Sequence, residues 1–295
     1  MMLFNEIAAR RPTLVGNLTH AALYMDAEPA VAAPDPTFDT IDVEVDQDAP
    51  IFWCCRPPGK PIVTTPLLTD LKTMHRALPA ILDNAERPIE YYVFGSRVAG
   101  TYSLGGDLAF FAESIRTGNR LAIRSYAHAC IDVVWQHVIA FDRPLITVAL
   151  VQGDALGGGF ETALSCDLIV AEKSAKMGLP EVLFNLFPGM GAYSFLTRRV
   201  GPAEAHRLVT SGTVYTAEQL HAMGIVDVLV EDGEGVYGLR DYVKRGARRS
   251  NALRASLRAR KRVHPISEAE LRDIVDIWVD AVFTLTDETC VAWPG

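Results

Sequence analysis

The sequence predicts an α/β fold, because strand-like runs and amphipathic helical stretches alternate along most of its 295 residues. Three observations carry that prediction. Ile41, Val43 and Val45 alternate with Asp42 and Glu44, while residues 51–55 and 145–151 are short, nearly continuous apolar runs, as strands require. Leu67, Leu68, Leu71, Met74, Leu78 and Leu82 recur at helical spacing instead. The composition, 49% hydrophobic and 22% charged, is enough to bury a full core.

In chain order, residues 27–37 are rich in Ala, Pro and Asp and read as a linker or loose arm. A helix is predicted over 65–84 and a strand over 89–94. A glycine-punctuated loop follows over 95–106, then a helical segment from about 107 to 141. Pro144 opens the strand 145–151, and 168–171 and 225–230 are later strands, each reached through a helix. The final third changes character. Residues 240–262 hold ten arginines and lysines, and 266–285 form an amphipathic helix with Ile274, Ile277, Trp278, Val282 and Phe283. The predicted organisation is an N-terminal arm (1–37), a core (38–235) and an appended helical region (236–295). The basic stretch reads either as a solvated helix face or as a docking surface for an acidic carrier or cofactor phosphates.

Several function classes are disfavoured. A net charge of −8 argues against nucleic acid or an anionic membrane as the main partner. The five cysteines (Cys54, Cys55, Cys130, Cys166, Cys290) show no CxxC spacing, which suits a reducing compartment. Glu6, Arg10 and Arg11 interrupt the N-terminus, and no run reaches the ~18 apolar residues of a membrane span. A cytoplasmic location is the expectation. No G-x-S-x-G elbow, no HExxH cluster and no G-x-G-x-x-G fingerprint appears, so serine hydrolysis, metal catalysis and dinucleotide binding are not expected.

Three segments carry chemistry together: Ser103-Leu-Gly-Gly-Asp107, Gly153-Asp-Ala-Leu-Gly-Gly-Gly-Phe-Glu161, and Gly178-Leu-Pro-Glu181 continuing to Pro188-Gly-Met-Gly191. The strand 145–151 runs through Gly157–Gly159 into a helix-compatible stretch, which aims main-chain N–H groups into open space. Such donors stabilise a developing oxyanion. The turn at 103–106 offers an opposing donor. Glu161 and Glu181 are candidate acid/base residues, although a glutamate in a first helical turn is also favoured by the helix dipole alone.

In this order and spacing the segments resemble the crotonase (enoyl-CoA hydratase/isomerase) superfamily over about residues 38–235. The resemblance implies a crotonase-like spiral of ββα turns with appended C-terminal helices, commonly trimeric. It implies that Leu104 and Gly158 supply the oxyanion-hole N–H groups. It also implies that Glu161 and Glu181, twenty residues apart, are the catalytic pair. Gly105, Gly106, Gly157 and Gly191 are carried as substrate contacts, with Phe187, Met190 and Trp278 as candidates for lining an acyl pocket. The glycine segment, the run from Leu179 to Pro188 and residues 91–106 further resemble bacterial synthases of the diffusible signal factor (RpfF-like proteins). That closer resemblance implies dehydration of a 3-hydroxyacyl thioester on acyl carrier protein, release of a free 2-enoic acid in quorum sensing, and a regulatory protein as a further partner. The alternatives are an enoyl-CoA hydratase or isomerase acting on free CoA esters, and a non-catalytic binding protein with the same fold. No cofactor or metal is expected beyond the thioester's own carrier. Residues 56–64 lack the Arg-x-x-Ala-Leu-Asn-like segment of CoA-using members, a departure that favours a protein-bound acyl group. The expected assembly is a homotrimer or hexamer.

Overall fold

Two sheets organise the computed structural model, which describes residues 37–285. The larger has the order β1 (Asp42–Val45), β2 (Ile51–Arg56), β3 (Tyr91–Ser96), β5 (Ile146–Val151), β7 (Leu168–Glu172) and β10 (Val228–Val230). From β2 onward all neighbours are parallel, and β1 is antiparallel to β2. The sequence of β5 explains its central place. All six of its residues, Ile-Thr-Val-Ala-Leu-Val, are buried, as a parallel strand covered on both faces demands. The smaller sheet has the order β4 (Thr101–Ser103), β6 (Asp154–Leu156), β8 (Lys176–Gly178) and β9 (Val214–Thr216).

Each turn of the chain gives one strand to each sheet and then a helix. β3 and β4 lead to α2 (Leu108–Arg116) and α3 (Arg120–Val138); β5 and β6 lead to α4 (Gly158–Leu164); β7 and β8 lead to α5 (Ala192–Val200). This is the expected spiral of ββα turns. Before it, α1 (Thr65–Asp83) starts where the Thr64 side chain caps the Leu67 N–H and Pro66 sits in the first turn. After it, α6 (Pro202–Ser211) and α7 (Ala217–Ala222) lead to β9 and β10. Three helices end the described chain: α8 (Gly235–Gly246), α9 (Ser250–Val263) and α10 (Glu268–Val282).

The two faces of the large sheet separate the site from the basic stretch. Phe52, Cys54, Tyr92 and Phe94 belong to the core shared with α1, α3 and α4, and α10 joins that core by packing on α3. The alternate residues Trp53, Tyr91, Val93 and Val148 pack against Leu239 and Val243 of α8 and Leu257 of α9. On α10, Leu271, Val275, Trp278, Val279 and Val282 are buried on the first face. Ion pairs clamp α10 to α3: Arg124 grips Asp276 with two 2.9 Å bonds, Arg272 reaches Asp132 at 2.7 Å, and Arg120 pairs with Asp280. Each such exposed pair contributes only about 0–1 kcal/mol, so the buried apolar stripe supplies most of the attachment.

Three expectations change. The loop 95–106 contains the strand β4. The helical segment 107–141 breaks at Gly118, whose φ is +65°, and Asn119 then caps α3 through the Ala122 N–H; the helix ends at Val138. Of 225–230 only the last three residues are strand, while the Ile225 N–H closes α7 by donating to Leu220. The N-terminal arm, except Thr37, and Cys290 lie outside the described residues.

Candidate active site

The two glycine turns touch. Gly157 leaves β6 with φ +53°, a left-handed conformation that favours glycine, and its N–H donates to the Gly178 carbonyl at 2.9 Å. A Cβ at Gly157 falls 2.6 Å from Glu181 Oε1, and one at Gly159 falls 2.2 Å from the Ser103 carbonyl oxygen. α4 can therefore start only with its backbone pressed against β4 on one side and Glu181 on the other. A Cβ at Gly105 lies 3.1 Å from the Gly158 nitrogen, so the second turn sits beside the N–H that opens α4.

Backbone pairing corrects one donor. The Leu104 N–H donates to the Pro61 carbonyl at 2.7 Å and is already committed, although its half-exposed side chain does line the cavity. The Gly105 carbonyl accepts from the Val63 N–H at 2.8 Å. In a trans peptide the N–H points opposite to the C=O, so the Gly106 N–H is aimed away from Val63. Gly106 lines the cavity together with Gly105, Gly157 and Gly158. The donor pair that geometry offers is Gly106 with Gly158, not Leu104 with Gly158. The direction of a peptide plane leaves no mark in the residue types of a Ser-Leu-Gly-Gly turn.

Glu161 and Glu181 meet at this point. Glu161 lies in the first turn of α4, 1% exposed, and its Oε1 accepts the N–H groups of Met190 at 2.8 Å and Ala192 at 3.0 Å. Glu181 stands on a 3-10 turn (Pro180–Phe184). The residue is half-buried overall, but its Oε2 is enclosed and has no hydrogen-bond partner among the described residues. Burial pushes both carboxyls above the ordinary value of 4.5. The charge of Glu181 raises Glu161 further, while its two N–H donors pull it back. Two acids so placed hold one proton between them most readily.

A cavity of about 770 Å³ opens from these groups. Met190 and Trp278 line it, and Trp278 meets Phe111 edge-on with ring centroids 5.4 Å apart. Phe187 and Gly191 do not line it. Phe187 packs against the core, and Gly191, with φ +110°, is the N-cap of α5 against Phe195 and Leu271. The helical spacing of Leu108 and Phe111 held the signal for a further wall, as did Tyr126 and Cys130 on α3. Among the described residues that line it, Lys60 is the cation. The arginine-rich α9 packs on the other face of the large sheet, away from this opening.

The family model of enoyl-CoA hydratase/isomerase matches residues 90–270. The 2,3-dehydroadipyl-CoA hydratase of Escherichia coli is 37% identical over 158 residues, which is 52% of this chain and 61% of that protein. The chain thus spans less than two thirds of that relative's length. The crotonyl-CoA hydratase of Syntrophomonas wolfei is 28% identical over 197 residues, 67% of this chain and 71% of that one. The crystal structure of enoyl-CoA hydratase from Bacillus halodurans superposes with a TM-score of 0.71 at 22% identity, covering 86% of this chain and all of that one. With its ββα spiral, its paired glycine turns and a family match over most of the described core, the chain belongs to the enoyl-CoA hydratase/isomerase family.

Proposed function

We propose that the chain is an enoyl-CoA hydratase-type lyase, adding water across the α,β double bond of an acyl-CoA thioester and catalysing the reverse dehydration. The observation that carries this reading is the enclosed Glu161–Glu181 pair beside two converging main-chain donors. The thioester carbonyl sits between the N–H groups of Gly106 and Gly158. Glu161, whose Oε1 already accepts two N–H groups, holds the negative charge. It takes a proton from water as the hydroxyl adds to C3 and the electron pair moves onto the carbonyl oxygen. Glu181, with its unpartnered Oε2, delivers its proton to C2 as the enolate collapses. The proton count of the pair is unchanged, and transfer from Glu161 back to Glu181 resets it. The test is crotonyl-CoA hydration, followed as loss of enoyl-thioester absorbance. Turnover is expected, and its absence contradicts the reading.

A second reading is dehydration of a 3-hydroxyacyl group on acyl carrier protein with hydrolysis to a free 2-enoic acid, as the closer resemblance implies. The Arg56-Pro-Pro-Gly-Lys60 stretch and the large apolar cavity favour it. Release of free fatty acid in the same assay distinguishes the two. The trimer or hexamer belongs to the same proposal and is measured by light scattering.

Trp278 closes the cavity from α10, with Gly189 directly beneath its indole. Trp278→Ala is expected to lower stability by about 3–5 kcal/mol and to shift the preferred acyl chain to a longer one. Rates across a series of enoyl-CoA lengths check this. Lower stability with unchanged preference assigns Trp278 to packing alone.

A further inference from the structure

Arg56 ends β2 on the cavity side of the large sheet and is only 4% exposed. Among the described residues no carboxylate pairs with it; the ionisable groups nearest in effect are the phenols of Tyr102 and Tyr126, which burial keeps protonated and neutral. Its Nη2 donates instead to two main-chain carbonyls, Lys60 at 2.8 Å and Ile62 at 2.7 Å. A buried cation without a counter-ion is a poor way to hold a loop, because an apolar side chain of similar volume does so at lower cost. Its placement, however, is specific. The two carbonyls flank Pro61, whose own carbonyl accepts the Leu104 N–H, and Ile62 precedes Val63, whose N–H donates to Gly105. Both ends of the 104–106 turn are thus fixed to a segment that Arg56 grips. The peptide so fixed is the one carrying the Gly106 N–H.

We propose that Arg56 is a positioning residue for the oxyanion turn. It locks residues 60–63 against residues 104–106, aims the Gly106 N–H, and places an uncompensated positive charge behind the point where the enolate oxygen forms. In a poorly solvated site such preorganised charge acts on the transition state more than on the ground state. The proposal rests on the hydratase reading only in placing a thioester carbonyl at Gly106 and Gly158.

The test uses 2,4-hexadienoyl-CoA, whose absorption moves to longer wavelength when its carbonyl is polarised. The intact protein is expected to red-shift the bound probe. Arg56→Met should abolish most of that shift and lower kcat for crotonyl-CoA by about 10- to 100-fold, with KM little changed. Arg56→Lys keeps the charge but not the planar fork, and should recover part of both. A residue that merely stabilises the fold would lower the melting temperature and leave the red shift of the folded protein intact. A wild-type red shift and kcat in Arg56→Met, or in Arg56→Lys where the methionine variant does not fold, overturns the proposal. An intact protein that binds the probe with no red shift overturns the hydratase reading itself, and this inference with it.

Discussion

Glutamine at position 161 or 181 is expected to lower kcat for thioester hydration by about 100- to 10,000-fold while raising the melting temperature at neutral pH. The two effects share one cause. Both carboxyls are enclosed, and burial raises each above the 4.5 it has in the unfolded chain. An acid whose folded-state value is raised is destabilising once it must ionise. Below 4.5 both states are protonated and the penalty is absent. As the pH climbs from there through the folded-state value the native protein loses stability, and above that value the loss is complete. Glutamine has no proton to lose. The melting-temperature gain should therefore be near zero at pH 4, open between pH 5 and 8, and amount to about 2–4 °C for each kcal/mol recovered. Calorimetry across pH on both variants reads it. A gain independent of pH would mean that the carboxyls are not desolvated as a pair.

Gly159→Ala is expected to break the contact that holds the two glycine turns together. The added Cβ lands 2.2 Å from the Ser103 carbonyl oxygen and 2.8 Å from the Ser103 carbonyl carbon and Cβ, and main chain cannot swing aside as a flexible side chain could. Either β4 separates from α4 or the helix start unwinds. Both outcomes pull the Gly106 and Gly158 donors apart. Loss of about 3 kcal/mol of stability and of at least 100-fold in kcat is expected. Gly246→Ala is the contrast. Among the described residues no atom lies within 4 Å of its Cβ, its φ is −77°, and it closes α8. That variant should gain about 0.5–1 kcal/mol with unaltered turnover. Denaturant melts of the two proteins side by side decide the matter.

What the sequence made legible follows from how each feature is encoded. Buried strands such as β5 announce themselves by continuous apolar composition, and α1 by its leucine spacing. The glycine turns and two glutamates are visible because their chemistry needs those residue types. The smaller sheet was hidden, since its strands are three residues long and periodicity has no room to appear in Lys176–Gly178 or Val214–Thr216. The choice of Gly106 over Leu104 depends on which way one peptide plane faces, and that is set by Val63, some forty residues earlier in the chain. Phe187 and Gly191 lie close to Met190 in sequence, yet Phe187 packs against the core and Gly191 caps α5, while the Met190 N–H meets Glu161. The arginine-rich helix gave no hint of which sheet face it would cover; Leu257, its buried residue, decided that.

Two carboxyls that share one proton and act on a single carbonyl must leave their mark on the pH profile of kcat/KM for crotonyl-CoA hydration. A bell is expected, with both limbs belonging to the pair. The acid limb should vanish from the residual activity of Glu161→Gln, and the alkaline limb from that of Glu181→Gln. Both limbs surviving in both variants would contradict it.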